Sequence, residues 1–190
     1  MKIIIITGPP YSGKGTQCEV LKKTLGYHHI STGDRCRQEK QEKTEIGMIM
    51  SEYEERGDLV PDELMKDLFS KILDENIHSK GIILDGYPRT MNQVKNLIEL
   101  VQSKGLTISK VLNIEVPHEE LLRRASKRAE TSNRKDDKDP EIHLKRIYVF
   151  ESLTVPAINH MKDVLTVTNF DGMGQIEEIT DKIVNSLNTL

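Results

Sequence analysis

The 190-residue chain contains two cysteines, no tryptophan and few aromatic residues, which make up 4% of it. The cysteines, Cys18 and Cys36, form no pair at metal-ligand spacing, so the sequence favours neither a disulfide framework nor a zinc site. The chain opens on a predicted strand without a signal sequence, and no apolar run is long enough to cross a bilayer. We therefore expect a cytoplasmic protein without a membrane partner.

Neither sign of charge dominates the chain. It carries 27 lysines and arginines against 30 aspartates and glutamates, for a net charge of -3. The cations form no basic stripe, which argues against nucleic acid as the main partner. The length fits one α/β domain with small insertions, and there are neither internal repeats nor low-complexity linkers.

The most informative stretch is G-P-P-Y-S-G-K-G-T at residues 8–16. A β-branched run, Lys2–Thr7, precedes it and predicts a buried parallel strand. Helical spacing follows from Gln17 to Leu25. A match to G-x4-G-K between a strand and a helix indicates a phosphate-binding P-loop. The alternative is a glycine turn that only caps an ordinary strand–helix unit.

The residue types of this loop suit a phosphate chain. Gly8 and Gly13 let the backbone come close, and successive N–H groups with a helix N-terminus supply donors. Lys14 can reach the terminal phosphates, and the Thr16 hydroxyl can meet Mg²⁺. The loop residues predicted to contact the phosphates are Gly8, Tyr11, Ser12, Gly13, Lys14, Gly15 and Thr16.

A second buried strand, predicted at Gly81–Gly86, carries Asp85 near its end. An acid in this position beside a P-loop strand is typical of a Walker B residue, which would steer Mg²⁺ through water. In isolation, the alternative of an aspartate that caps the next turn would be favoured.

Arginines supply the other candidate anion ligands. Ser31, Thr32 and Asp34 can each cap a helix in which Arg37 lies one turn from the start, where it is either an anion clamp or a solvated residue. Residues 38–56 are polar and predict a small mobile helical flap. From Glu119 the chain is dense in cations, including Arg124, which either face a ligand or form a solvated helix face.

The remaining pattern predicts alternating helices and strands. Helices are expected at 63–76, 91–104 and 176–187, and Pro140–Lys162 predicts one long helix bent near Pro156. Strands are expected at Val111–Val116 and Val164–Thr168. Pro61 can start a helix at its first turn. The paired histidines, His28 and His29, have no clear partner in the sequence and are interpreted as packing or surface residues.

Five motifs in this order resemble those of the adenylate kinases, in the nucleoside monophosphate kinase family. They are G-P-P-Y-S-G-K-G-T-Q at 8–17, I-S-T-G-D-x-x-R at 30–37, G-D-L-V-P at 57–61, G-Y-P-R-T-x-x-Q at 86–93 and R-A-E-T-S-N-R-K-D-D at 128–137. The last resembles the lid of the short form, which lacks zinc. The resemblance covers nearly the whole chain. Tyr11 stands where the family usually has glycine, so its side chain must point out of the turn, and Glu54 stands where the family often has methionine.

The resemblance implies a P-loop NTPase-type α/β fold, with a five-stranded parallel sheet flanked by helices. It divides the chain into a core (1–30, 61–124 and 139–190), a small helical monophosphate-binding segment (31–60) and a short lid (125–138). It implies a monomer that binds ATP, AMP and ADP and carries out Mg²⁺-dependent phosphoryl transfer, ATP + AMP = 2 ADP. Mg²⁺ would lie near Thr16 and Asp85.

The resemblance also assigns residue roles. It implies that Arg124, Arg128 and Gly174 contact ATP in addition to the P-loop. The residues implied for AMP are Thr32, Arg37, Asp58, Leu59, Val60, Gly86, Tyr87, Pro88, Arg89, Gln93, Arg134 and Arg146. Those implied to act in transfer itself are Lys14, Arg89, Arg128, Arg134 and Arg146.

Three alternative functions are considered. A UMP/CMP kinase would share the fold and most arginines, but Thr32, Thr90 and Gln93 favour AMP. A regulatory GTPase would need an N-K-x-D guanine motif and a D-x-x-G switch, and the sequence has neither. A non-catalytic nucleotide-binding module is suggested by Tyr11 and Glu54 alone, whereas every expected arginine is present.

Overall fold

The computed structural model describes residues 1–132 and 137–188. Within them one sheet is built from β1 (Lys2–Thr7), β2 (His28–Ser31), β3 (Gly81–Asp85), β4 (Thr107–Glu115) and β5 (Val167–Asp171). The strand order is β2-β3-β1-β4-β5, and every pairing is parallel. The sheet is five-stranded and parallel, as predicted. Consecutive strands can run parallel because helical connections return the chain to the same end of the sheet.

The helices flank the sheet and supply two outlying segments. They are α1 (Lys14–Leu25), α2 (Thr32–Gln41), α3 (Glu45–Glu55), α4 (Asp62–Asn76), α5 (Met91–Ser103), α6 (His118–Thr131), α7 (Pro140–Val149), α8 (Val155–Val164) and α9 (Ile176–Asn188). No helix in the described part of the chain is both long and apolar enough to span a membrane.

The first strand divides the apolar core into two layers. Its side chains alternate, so that Ile3 and Ile5 face one layer and Ile4 and Ile6 face the other, and all four are buried. The larger layer includes α4, α5 and α8, and the smaller includes α1 and α9. Continuous isoleucine in β1 is explained by burial on both faces.

The register brings the carboxyl ends of three adjacent strands, β2, β3 and β1, to one edge of the sheet. Ile6 of β1 pairs with Asp85 of β3, and Ser31 of β2 pairs with the same residue. Parallel strands all end on the same side, and ligands of such sheets bind outside their carboxyl ends. The loop after β1, the start of α2 and the turn after β3 therefore meet at one place.

The last two predicted strands need correction. The strand predicted at Val164–Thr168 lies at Val167–Asp171, because its register follows β4, from Val111↔Val167 to Glu115↔Asp171. Asn169 to Asp171 therefore also belong to the strand. The strand predicted at Val111–Val116 begins earlier, at Thr107.

The long helix predicted at Pro140–Lys162 is divided into α7 and α8 by a π-helical turn at Phe150–Thr154, and it continues to Val164. The wider turn lies just before Pro156, whose ring would otherwise meet the carbonyl of the preceding turn. Pro61 was predicted to lie in the first turn of the next helix. It instead precedes α4 as its cap, and Asp62 is the first residue of that helix.

The polar stretch 38–56, predicted to be a helical flap, holds the end of α2, which stops at Gln41, and the whole of α3 at Glu45–Glu55. Ser31 caps α2 by accepting a hydrogen bond from the Asp34 N–H, and Thr44 caps α3 by accepting one from Gly47. Gly57 follows α3 with φ of 72°, the conformation typical of a helix end.

Candidate active site

The turn between β1 and α1 leaves its glycines in conformations that other residues avoid. Gly8 has φ of 140°, Gly13 has φ of 93°, and a Cβ on Gly8 would lie 2.4 Å from the carbonyl oxygen of Ile114. The Lys14 ammonium donates to the carbonyl oxygens of Gly8 (2.9 Å) and Pro9 (2.7 Å). Burial lowers the pKa of Lys14 to about 8, so a bound anion would stabilise its charge.

Tyr11 lies in this turn with φ of 67°, in the left-handed region that bulky residues rarely adopt. Its side chain leaves the turn, as predicted, and reaches α7. There its hydroxyl is hydrogen-bonded to Nδ1 of His143, and the two rings meet edge to face with centroids 5.1 Å apart. The Arg128 guanidinium lies 5.9 Å from the Tyr11 ring centroid. Burial raises the pKa of the Tyr11 hydroxyl.

Asp85 ends β3 beside the loop, and His29 faces it. Nε2 of His29 lies 3.3 Å from the Asp85 carboxylate, and Nδ1 lies 2.8 Å from that of Glu19. Burial lowers the pKa of His29, but the hydrogen bonds to the two carboxylates outweigh burial and leave the pKa raised. The prediction that His29 lacks a clear partner is therefore wrong, while His28 is bonded to Asn76 at an exposed position.

The donor set near Asp85 suits Mg²⁺, which prefers oxygen ligands. The Asp85 carboxylate is only 14% exposed and lines the cavity together with Thr16. Cys18, His29 and Asp85 also present ligand atoms within 4.8 Å of one another. Burial raises the pKa of the Cys18 thiol, however, and this disfavours the thiolate that a soft metal requires.

Two predicted anion ligands lie near the start of α2 and after β3. The Arg37 guanidinium is paired with Asp34 and lies 3.7 Å from the Glu54 carboxylate. The Arg89 Nε–H donates to the carbonyl oxygen of Gly86 at 2.6 Å, and burial lowers the pKa of Arg89. A dianionic phosphate would stabilise both charges.

Thr32 and Gln93 line a smaller adjoining cavity of about 40 Å³, with Val60 at its wall. The Thr32 hydroxyl donates to the carbonyl oxygen of Asp85 at 2.9 Å. The Gln93 amide oxygen accepts the Arg89 backbone N–H at 2.8 Å, and its amide nitrogen donates to Asp62 at 2.8 Å. Within residues 1–132 and 137–188, these two bonds leave one N–H and one lone pair of the amide for a ligand.

Two predicted contacts are placed elsewhere. Tyr87 is 1% exposed and stacks on Phe69 in the core, with ring centroids 3.7 Å apart, so its side chain cannot reach a ligand. Gly174 lies in the exposed turn after β5, and neither residue lines either cavity. Asp58 lines the larger cavity, but its carboxylate is paired with Lys145 at 2.6 Å, which lowers its pKa.

The cations of α6 extend toward the loop. Arg124 donates to the carbonyl oxygens of Ser12 (3.3 Å) and Gly172 (2.8 Å) and to Glu120 (2.7 Å). It therefore ties α6 to the loop and to the turn after β5. Since Arg124 and Arg128 are four residues apart, they share a helix face, as predicted.

Asp137 binds two other predicted site cations, Arg128 and Arg146. Its side chain is completely buried; Oδ2 accepts from Arg128 Nε at 2.9 Å, and Oδ1 accepts from Arg146 at 3.2 Å. Ser132 donates to it as well, at 2.7 Å. Although burial raises the pKa of Asp137, these donors outweigh burial and leave the pKa lowered. Arg134 lies outside the described residues.

One cavity of about 590 Å³ lies at this edge of the sheet. It brings together most of the predicted residues: Gly8, Tyr11, Ser12, Gly13, Lys14, Gly15, Thr16, Arg37, Asp58, Leu59, Asp85, Gly86, Pro88, Arg89, Arg124, Arg128 and Arg146. A continuous space lined by a glycine loop and by separate arginines can hold two anionic ligands at once.

Sequence reasoning missed three residues that organise this cavity. His143 and Asp137 connect the loop to the arginines, and Asp62 holds the Gln93 amide. One signal was present for His143, because it lies three residues before Arg146 and therefore on the same helix face. No local pattern distinguishes Asp137 from its acidic neighbours.

Comparison with known proteins gives a consistent result. A family model described as "Adenylate kinase" matches residues 6–165. The chain is 40% identical over 187 residues to the adenylate kinases of Parabacteroides distasonis and of a Bacteroides fragilis strain, covering 98% of each chain. It is 36% identical to that of Leptospira biflexa, covering 98% of this chain and 100% of the relative.

Proposed function

The chain belongs to the adenylate kinase family, and from this premise we propose how its cavity carries out the family's reaction. It is a phosphotransferase that catalyses ATP + AMP = 2 ADP and so interconverts the adenine nucleotides. The observation that carries the assignment of roles is that Lys14 of the phosphate loop and the pair Arg37 and Arg89 face one cavity. Transfer between two nucleotides requires two such anion sites in one space.

The donor ATP would bind at the loop. Its phosphates would accept hydrogen bonds from the loop amides at the start of α1 and replace the carbonyls that Lys14 now contacts. Arg124 and the turn at Gly174 would lie toward its base. Thr16 and Asp85 would hold Mg²⁺, Asp85 through water. When bound, Mg²⁺ neutralises charge on the donor phosphates.

The acceptor AMP would bind beside α2. Its phosphate would lie between Arg37 and Arg89, and its base would enter the smaller cavity near Thr32, Val60 and Gln93. The backbone of Asp58 and Leu59, together with that of residues 86–88, would border it. An amide that can both donate and accept suits the edge of adenine.

The transferred group would be surrounded by Arg128, Arg146 and, outside the described residues, Arg134. An oxygen of the AMP phosphate attacks the terminal phosphorus of ATP, and the bond from that phosphorus to the bridging oxygen of ADP breaks. The attacking oxygen of AMP is already anionic near neutral pH, since the second pKa of a phosphate monoester is about 6. No general base is therefore required, and the arginines stabilise the charge of the transition state.

Two segments would close over the nucleotides, residues 31–60 and 125–138, against a core of 1–30, 61–124 and 139–190. Closure would exclude water, which explains transfer to AMP in place of hydrolysis. We also propose a cytoplasmic monomer without zinc, nucleic acid or membrane partners. The two free, buried cysteines and the net charge of -3 fit this proposal.

The first test measures ADP formation from Mg-ATP with AMP, CMP, UMP or GMP as acceptor, beside a reaction with no acceptor. We expect turnover that depends strongly on AMP. Preference for UMP or CMP would keep the mechanism but overturn the base assignment. Acceptor-independent hydrolysis, or ATP binding without turnover, would overturn the proposed chemistry.

A further inference from the structure

Tyr11, which lines the cavity, joins the phosphate loop to α7. The two residues in contact, Tyr11 and His143, are 132 positions apart in the sequence. The loop holds Tyr11 at φ of 67°, which a side chain with a Cβ rarely adopts. Such a conformation persists only where surrounding contacts maintain it, and residues of this kind cluster at functional sites.

The direction of the hydrogen bonds follows from the partners of His143. Its Nε2 lies 2.8 Å from the carbonyl oxygen of Asp137, which can only accept, so Nε2 carries the proton. In the neutral ring Nδ1 is then an acceptor, and the Tyr11 O–H donates to it. The lone pairs of the phenol oxygen are then free to accept a hydrogen bond from the Arg146 guanidinium, and this bond opposes the rise in the Tyr11 pKa that burial causes.

The same chain of contacts reaches Arg128 and Arg146, which line the cavity. The backbone carbonyl of Asp137 accepts a hydrogen bond from His143. Its buried carboxylate accepts hydrogen bonds from Arg128 and Arg146. The Arg128 guanidinium also lies over the Tyr11 ring, 5.9 Å from the centroid. Tyr11 is therefore in contact with the loop that would hold the donor and with the residues that would hold the transferred group.

We propose that Tyr11 is a positioning residue for phosphoryl transfer, acting through its hydrogen bond to His143. The Tyr11–His143 contact holds α7 against the phosphate loop, so that Arg146 and Arg128 are aligned beside the terminal phosphate of the donor before AMP binds. This inference rests on the proposed function of the cavity. It predicts an effect on the rate of transfer and little effect on the binding of AMP.

The variants separate the hydroxyl from the ring and from the fold. Tyr11→Phe removes one oxygen atom and keeps the ring contacts. His143→Gln keeps a donor near the position of Nε2 and loses the acceptor at Nδ1. Tyr148→Phe is the control, because it removes the same hydroxyl from an α7 tyrosine that is 68% exposed. Thermal unfolding of each variant verifies that the fold is kept.

We expect Tyr11→Phe to lower kcat by about tenfold, since misplacement of a catalytic group by about 1 Å can cost about a hundredfold. KM for AMP should stay within about twofold, because Arg37 and Arg89 are untouched. His143→Gln should behave alike. The double variant should be no slower than the slower single variant, because both changes break one contact. A wild-type kcat in Tyr11→Phe, or multiplicative losses in the double variant, would overturn the proposal.

A measurement that does not depend on turnover tests the Tyr11–His143 contact separately from the proposed function of the cavity. The ¹⁵N resonances of the His143 ring report its tautomer and the hydrogen bond at Nδ1. We expect the protonated Nε2 in both proteins and a shifted Nδ1 resonance in Tyr11→Phe; an unchanged Nδ1 resonance would contradict the contact. If the wild-type protein lacks AMP-dependent turnover, the proposed function fails and the positioning role fails with it. If it has such turnover and Tyr11→Phe matches it, only the role of Tyr11 fails.

Discussion

The carboxylate of Glu54 lies 3.7 Å from the guanidinium of Arg37, inside the cavity in which an acceptor phosphate would bind. The two side chains are 30% and 31% exposed, so their attraction is partly screened by water. The negative charge of Glu54 also acts on Arg89. An incoming phosphate therefore meets an acidic side chain beside both of its proposed ligands.

Replacing this carboxylate should improve acceptor binding. In Glu54→Gln we expect KM for AMP to fall by about threefold to fivefold, since a partly exposed charge pair contributes up to about 1 kcal/mol. KM for ATP should be unchanged. Glu55→Gln makes the same change of charge one residue away, where the carboxylate is 66% exposed and paired with Lys40. If both variants lower KM equally, the effect reflects general charge; a raised KM in Glu54→Gln would mean that Glu54 helps to bind AMP.

Arg89 should matter more than any other acceptor-side residue, because its guanidinium is desolvated before the ligand arrives. Arg89→Ala should raise KM for AMP by about 10- to 100-fold, since hydrogen bonds to charged groups contribute about 1.5–3 kcal/mol. It should also slow transfer. Steady-state kinetics with AMP varied at saturating Mg-ATP measures both effects.

Arg123→Ala is the matched control for this change. It removes the same side chain from a position that is 67% exposed and paired with Glu120 outside the cavity. We expect its kinetic constants to match those of the wild-type protein. Unchanged kinetics in Arg89→Ala would remove Arg89 from the acceptor site.

Local sequence pattern predicted most of the strands and helices, because each of them depends mainly on residues close together in the sequence. The glycine spacing of residues 8–16 and the isoleucines of β1 determine a loop and a strand without reference to distant residues. The order of strands and helices followed in the same way. The position of β5 did not, because its ends depend on pairing with Val111 to Glu115 of β4.

The candidate site was predicted residue by residue, but its connections were not. The sequence indicated that Tyr11 leaves the loop but not that it ends on His143, since 132 positions separate the two. It placed Tyr87 with AMP, whereas stacking on Phe69 buries the ring in the core. Contacts of this kind depend on packing between elements, to which local periodicity is insensitive.

Asp137 should make the free energy of unfolding depend on pH in the acid range. Its pKa is lowered in the folded protein by Ser132, Arg128 and Arg146, so its contribution to stability is present above the ordinary aspartate pKa of about 3.9. That contribution is lost as the pH falls through the lowered value. Near pH 7 we expect Asp137→Asn to lower the free energy of unfolding by about 1–3 kcal/mol.

Urea unfolding of the wild-type and Asp137→Asn proteins between neutral pH and the acid transition measures this dependence. The difference between the two proteins should shrink as the pH falls below the ordinary aspartate value. Asp163→Asn, at an exposed position on α8, is the control and should show little difference at any pH. A difference between wild type and Asp137→Asn that stays constant into acid would mean that the carboxylate charge is not the stabilising feature.

Gly47 of α3 lies directly against the backbone of α2. A Cβ built there would lie 2.2 Å from the carbonyl carbon of Glu39 and 2.4 Å from its oxygen, both in the α2 backbone. Backbone atoms cannot rotate away as a side chain can, so Gly47→Ala must push the helices apart. Overpacking of this kind costs about 1–3 kcal/mol, and the gain in helix propensity from glycine to alanine, about 1 kcal/mol, offsets only part of it.

The two helices carry Arg37 and Glu54, so their separation should reach the acceptor site and leave the donor site intact. We expect Gly47→Ala to raise KM for AMP by about threefold to tenfold, since a displaced ligand arginine loses part of a charged hydrogen bond. KM for ATP should stay at its wild-type value. Met48→Ala changes the neighbouring residue, which is 51% exposed, and should alter neither constant. If KM for ATP rises in parallel in Gly47→Ala, the strain is distributed through the core and residues 31–60 do not behave as a separate segment.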